Sequence, residues 1–557
     1  MLTFFISLAE YEQNYDDFWE TLLLSMSCRV SDDVEKSKNI LSDIFQKILN
    51  NCNDAGIAPE MAIVSQSYFV DPEYRDSFHS YYSNKHMKYQ RYCTRLFLFK
   101  KCEGRPESPL DWINSNLNDA FIGCIVIKPT LRGMVGRTLI KPEYLLPYSE
   151  AGSIYTRLST YYVSFHGKPL EIKTFPYRMQ DSEATTCAEV TIINLMDYFG
   201  NHYRDYCQIY SSNIQSAVSI DHYERSVPSR GLSYKTVTRA LKGFGLSPRL
   251  YPVRRSGYGS IQPEKTLHYY IESGIPVAIC LRPYYSPQSM LHSIICVGHG
   301  KGDMGKILRH AEQFKLTESP QDSFYFADTA NGYDSYIVMD DNHSPYQKYS
   351  FSRGPKQTVY FGNGTDDKRT IEYLSVPLHK RTYLEAENAF SICKKILGDA
   401  KIIEIIKNRY AANFPGAIPI GDEKNPLLLR LFLASARSYI NHRVNSISTL
   451  DAFYSDLPLP KAVWVCELYD QSHYGEKKIL GEIVLDATAT EHTGHDSLLL
   501  ENYLDRVYAC YPDKEPLKCM QSNPPDVDSG KRLFAIISDW VPMSSYENNL
   551  KSIVLTG

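Results

Sequence analysis

Several protein classes are excluded by what this chain lacks. No segment has the apolar length of a membrane span, and no low-complexity tract points to disorder. A net charge of −4 leaves no bulk electrostatic footprint for nucleic acid. The 13 cysteines are odd in number, scattered and without Cys-x-x-Cys pairs, which fits a reducing cytoplasm. The opening Met1–Leu8 is apolar but has no basic segment before it and no small-residue cleavage site, so no signal peptide is expected. Gly133 and Gly136 are not followed by Gly-Lys-Ser/Thr or by a helix start. A turn between strands is expected there rather than a phosphate loop, with Arg132 and Arg137 as candidate anion binders. No cofactor is expected.

What remains is a chain built for packing. Its 557 residues are too many for one core and imply two to four domains. A hydrophobic content of 43% with 43 tyrosines suits a well-packed globular protein. Three regions are expected: residues 1–150, 151–375 and 376–557. In the first, Asp16–Met26 and Asp33–Asn50 read as helices, and Arg95–Lys100 and Phe121–Pro129 as strands. The second opens with a hairpin, Tyr161–Ile172, that turns at His166-Gly167, and it includes a helix over Gly231–Gly243 capped by Ser233. The third reads as helices over Tyr383–Tyr410 and Asn425–Val444, then a hairpin of Ala462–Tyr469 with Lys478–Asp486. His492, His495 and Asp496 follow it. That pattern invites a zinc reading, but a loop places ligands poorly and no fourth ligand is evident, so a solvated loop is expected and no metal.

Chemistry concentrates in the middle region. A polar stretch holding Gln180 ends at Cys187, where a helical pattern begins with Ile192, Leu195, Met196 and Phe199 on one face. Gly200 is expected to stop this helix. A cysteine at a helix start meets unpaired N–H groups and the positive end of the macrodipole, which favour thiolate. Most buried cysteines are inert small hydrophobes, so the partners decide. His292 opens an apolar strand, Leu291–Gly298, and an imidazole is the side chain suited to take a thiol proton near neutrality. A further strand, Ser335–Met339, runs into Asp340-Asp341-Asn342, and a carboxylate there can hold the ring in its useful tautomer. Asp340 is preferred as the first polar residue after the strand, with Asp328 and Asp341 as alternatives.

The order of Gln180, helix-opening Cys187, strand-opening His292 and strand-closing Asp340 resembles the papain-like cysteine peptidases. Within them it looks most like the bacterial bacteriocin-processing branch, over roughly residues 170–352. Ala188 replaces the usual Gly of that pattern, the gap from Gln180 to Cys187 is one residue longer, and Asp341 stands where a Pro is usual. The resemblance implies an α+β fold with a papain-like core and accessory α+β regions on both sides. It implies a cysteine peptidase or isopeptidase in which Cys187 attacks, His292 shuttles the proton, Asp340 orients the ring and Gln180 helps hold the oxyanion. The expected substrate is a protein or peptide, and the flanks are expected to choose it or to bind a partner protein. Transglutaminase-like transfer or deamidation on the same residues, and a binding scaffold with a vestigial triad, remain open. A polar insertion over Lys301–Asp322 is a candidate lid over the site.

Overall fold

The computed structural model describes residues 2–7, 11, 19, 22, 35–100, 117–131, 133–218, 231–253, 262–283, 291–315, 323–353, 358–361, 368–446, 454–455, 457–490, 497–510, 532–537 and 540–555. It is an α+β protein organised around three antiparallel-dominated sheets. The Asp16–Met26 helix expectation lies largely outside the described residues, as do Arg132, His492, His495 and Asp496. Among the described residues, no helix is long and apolar enough to cross a membrane.

The first sheet is a simple meander of β1 (Leu2–Ser7), β2 (Glu60–Phe69), β3 (Cys93–Lys100), β4 (Phe121–Ile127) and β5 (Val135–Ile140). The helix Glu35–Asp54 buries Ile40, Ile44 and Ile48, the spacing that its sequence announced. Gly133 lies in the β4–β5 turn at φ +59°, so the turn expectation holds. A Cβ at Gly133 would lie 2.3 Å from the Gln180 carbonyl oxygen and 2.4 Å from the Asp181 Cα, so only glycine lets the Gln180 segment approach.

After β6 (Tyr155–Thr156), the strands β7 (Ser159–Phe165) and β8 (Lys168–Thr174) form the expected hairpin. Its His166-Gly167 turn has positive φ at both positions, as a two-residue primed turn requires. The central sheet then uses β9 (Ser247–Pro252), β10 (Val277–Pro283) and β11 (His292–His299). The chain next contributes β12 (Glu312–Lys315) and β13 (Ser323–Asp328) elsewhere. It returns to the central sheet with β14 (Ser335–Met339), β15 (Gln347–Arg353), β16 (Thr358–Phe361) and β17 (Lys368–Leu378). Pairing runs β10–β17–β16–β15–β14–β11 and back to β10, so six antiparallel strands close on themselves. Apolar side chains alternate across β11. Ile294 and Cys296 join the core shared with Ile279, Val338 and Leu374, while Ile295 and Val297 join the core that contains the Cys187–His202 helix.

The third sheet runs β12–β13, then β18 (Leu427–Ser435), β19 (Ala462–Tyr469), β21 (Gly481–Asp486), β22 (Leu498–Tyr503), β23 (Arg506–Cys510) and β24 (Arg532–Ile536). Beside it, β20 (Lys478–Ile479) pairs with β25 (Met543–Ser544). Finally β26 (Lys551–Ser552) pairs with β6 in the central sheet. Two expectations change here. Leu427–Ser435 is a strand and only Ala436–Val444 is helical, because its apolar run is buried between β13 and β19 and carries no helical period. The helix read over Tyr383–Tyr410 is two, Ala386–Leu397 and Ala400–Asn413, with Asp399 capping the second through the Lys401 N–H. The 301–322 insertion does not start as a lid. It leaves from the His299 end of β11, roughly 23 Å along the strand from His292, and its Glu312–Lys315 segment pairs with β13 in the third sheet. Residues 316–322 lie outside the described set.

The cores cross the expected boundaries at 150/151 and 375/376. One joins Ile44, Leu96 and Ile125 to Ile192, Met196 and Val297. Another joins Leu267, Ile279 and Leu374 to Leu397, Leu429 and Trp464.

A buried charge fixes the first of these joints. Arg178 is 1% exposed and reaches Glu73 on the helix Pro72–Ser80, Asn194 Oδ1 at 2.7 Å and Asp197 Oδ2 at 2.5 Å on the cysteine helix. Asp197 also accepts two hydrogen bonds from Arg137, at 2.8 and 2.9 Å, so that arginine serves structure rather than an anion. Removing the guanidinium takes this partner from the Glu73 carboxylate and leaves the buried Asp197 with Arg137 alone. Arg178→Ala is therefore expected to lower unfolding free energy by roughly 3–5 kcal/mol. Urea titration followed by circular dichroism measures this, and a loss below about 1 kcal/mol would contradict it.

Candidate active site

The cysteine helix spans Cys187–His202. Its start is defined by Glu189, whose carboxylate accepts from the Thr186 backbone N–H at 2.6 Å and the Thr186 hydroxyl at 2.8 Å. Cys187 is thereby the first helical residue, half-buried, with its Sγ at the end where N–H groups lack intrahelical acceptors. Gly200 does not stop the helix. It stays helical, and the absence of a side chain there admits the Cys207–Gln208 backbone, which a Cβ would meet at 2.6 Å.

One turn into the helix, Thr191 donates to the Cys187 carbonyl at 2.9 Å and to Ser293 Oγ on β11 at 3.0 Å. That contact docks the helix start beside His292, which faces Leu281 in the β10–β11 register. Cys187 and His292 line the same cleft, which holds about 50 Å³ of free space between apolar walls that include Leu232, Val237 and Leu250.

His292 Nε2 lies 2.8 Å from Asp340 Oδ1 and 3.6 Å from Asp341 Oδ1. Asp340 is 3% exposed and also accepts from the Asn342 N–H and the Tyr349 hydroxyl, each at 2.9 Å. With Nε2 taken by Asp340, Nδ1 is the nitrogen left to face the thiol. Burial disfavours the charged ring, but the adjacent Asp340 outweighs it. A hydrogen bond with Cys187 and the charge of Asp341 add to the effect, and the imidazole is pushed up to about 10. Burial likewise opposes ionisation of Asp340, but the His292 charge holds its carboxyl well below the ordinary carboxylate range. Asp328 sits elsewhere, at the end of β13. It accepts from the Tyr269 hydroxyl at 2.6 Å and pairs with Lys265 at 3.1 Å.

Gln180 is brought into the same network by a residue that sequence reasoning passed over. Its Nε2 donates to Asn342 Oδ1 at 3.0 Å, and the Asn342 amide nitrogen lies 3.1 Å from His292 Nε2. Lys36, from the first region's helix, also donates to Asn342 Oδ1. Asn342 was legible as part of Asp340-Asp341-Asn342, whereas nothing local to Lys36 marked it. Cys280 is a second half-buried thiol in the cleft, and burial pushes it up to about 12. No protein-family model matches this chain, and no curated protein matches it.

Asp341 differs from its neighbour. It is 4% exposed, and neither carboxylate oxygen meets a hydrogen-bond donor from another described residue. Burial pushes it up to about 7, with the His292 charge opposing and the Asp340 charge adding. In the unfolded chain the same carboxyl titrates near 3.9. Below about pH 4 it is neutral in both states and costs nothing. Between about 4 and 7 the unfolded chain ionises first, and stability falls as pH rises. Asp341→Asn keeps the shape and removes this penalty. Its stability relative to the unsubstituted protein is expected to grow between about pH 4 and 7 and then level off. Urea midpoints across that range test this, and a pH-independent difference would refute it.

Proposed function

We propose that this protein is a cysteine hydrolase of papain-like type that cleaves amide or isopeptide bonds in a protein or peptide substrate. The observation that carries the reading is the junction of a helix-opening thiol and a carboxylate-held imidazole in one cleft, with Cys187 and His292 lining it and Asp340 at 2.8 Å. An imidazole stabilised as its cation is the partner that a thiolate needs, so the resting pair is Cys187 thiolate with His292 imidazolium.

In this mechanism Cys187 Sγ attacks the carbonyl carbon. The oxyanion is held by the Cys187 backbone N–H and by the second N–H of the Gln180 amide, the first being donated to Asn342. Nδ1 of His292 protonates the leaving amine, and a thioester forms. A water molecule then gives its proton to the same nitrogen and attacks the thioester, which releases the acid and restores the thiolate–imidazolium pair. Asp340 keeps the ring oriented throughout and its positive charge compensated. The free cysteines suit a reducing, cytoplasmic setting in which such a thiol stays usable.

Brief treatment with a papain-directed epoxide followed by peptide mapping tests the reading. Adduct is expected at Cys187 ahead of the other thiols, with His292→Ala slowing it by about 100-fold or more. Cys187→Ala is expected to abolish amide cleavage. Modification spread over several cysteines, or cleavage that survives Cys187→Ala, would overturn it.

A further inference from the structure

The three groups at the ends of β11 and β14 have a second capacity that thiol chemistry does not use. His292 Nε2, one oxygen of Asp340 and one of Asp341 all lie within 4.8 Å of one another, and all three residues are buried. Two of the separations, 2.8 Å and 3.6 Å, bracket the roughly 3.3 Å between neighbouring ligand atoms when a tetrahedral zinc ion is held at 2.0–2.1 Å. The second observation is independent of this clustering. The Asp341 carboxylate is 96% out of water, turned toward His292, and accepts no hydrogen bond from another described residue. Such a group is costly to keep unless something else comes to it.

We propose that His292, Asp340 and Asp341 form a binding site for a divalent zinc-type cation, and that its occupancy silences Cys187. One imidazole and two carboxylates are a donor set suited to such an ion, and the two negative charges match its own. Asn342 is not a ligand, because donors from Gln180 and Lys36 fix its oxygen and turn its NH₂ toward the ring. The fourth position is therefore open to water. On binding, the Nε2 proton leaves to solvent, as does the Asp341 proton where that carboxyl is neutral, and Nε2 forms a dative bond to the cation. The ring's remaining proton is then held on Nδ1, the nitrogen that faces the thiol. The ring is then no longer a cation that compensates the Cys187 thiolate, and the thiolate takes up a proton from solvent to become the unreactive thiol. The site itself stands on geometry alone; the consequence for Cys187 rests on the hydrolase reading.

The test is calorimetric titration of the full chain with zinc chloride, in the unsubstituted protein and in its Cys187→Ala and Asp341→Asn forms. Circular dichroism of each form establishes that it is folded. One zinc per chain is expected in the first two proteins, with affinity at least about tenfold weaker in Asp341→Asn. Cobalt(II) bound to the unsubstituted protein is expected to show no thiolate charge-transfer absorption, a readout that needs no variant. In parallel, zinc is expected to slow iodoacetamide labelling of Cys187 in the unsubstituted protein and not in Asp341→Asn. Absence of binding, binding lost in Cys187→Ala, or binding unchanged in Asp341→Asn would overturn the site. If zinc-free labelling of Cys187 is indifferent to His292→Ala, the hydrolase reading fails while the titration still decides the site.

Discussion

The position of the cysteine helix depends on one buried cation. Arg178 lies two residues before Gln180 and spends its hydrogen bonds on Glu73, Asn194 and Asp197. Burial works against the charge, but the two carboxylates overcome it and hold the guanidinium firmly ionised. A charge that cannot be neutralised and cannot reach water must keep its partners, so its own segment and the two helices that supply them have one relative arrangement. Gly133 adds a steric version of the same constraint, since the β4–β5 turn and the Gln180 segment are in backbone contact. The first region thus packs against the segments that carry the site, and through Lys36 it reaches the Asn342 that joins Gln180 to His292.

The far end of β11 is held by the third region in a comparable way. His299 lies 3.2 Å from Glu272, and Arg430 bridges Glu272 and Glu467 at 2.8 Å each. Arg443 continues the chain of charges to Glu467 at 2.6 Å and Glu482 at 2.7 Å. This network ties the strand that carries His292 to β18, β19 and β21. The His299 end of the strand is therefore anchored by elements outside the middle of the sequence. Continuity of the hydrophobic cores across residues 150/151 and 375/376 follows from the same arrangement.

Where the local pattern alone decides structure, the sequence was readable. The Cys187 helix shows its start and its apolar face, and β11 shows an apolar run opened by His292. The hairpin at His166-Gly167 is dictated by a turn that needs two positive φ values. Leu427–Ser435 was misread because an apolar run buried on both faces has no period to separate strand from helix. The parallel pairing of β13 with that strand is set by packing between residues far apart in the chain. Asp328, the alternative to the preferred Asp340 in sequence, is held in that pairing with Tyr269 and Lys265 as its partners. The β11–β14 register sets Ile295 opposite Met339 and delivers the next residue, the preferred acid Asp340, to the ring.

Adjacent aspartates with opposite titration behaviour show how little of a site's chemistry resides in residue type. Asp340 accepts from His292, a backbone N–H and the Tyr349 hydroxyl, and three donors stabilise its negative charge. Asp341 is equally buried and accepts none of these, so the same carboxyl is driven toward its neutral form. Environments that push two neighbouring acids apart divide their roles. Asp340 can only be a permanent anion that orients the ring. Asp341 is neutral or charged according to conditions, and its Oδ1 lies 3.6 Å from His292 Nε2. A change in its ionisation is therefore felt at the imidazole.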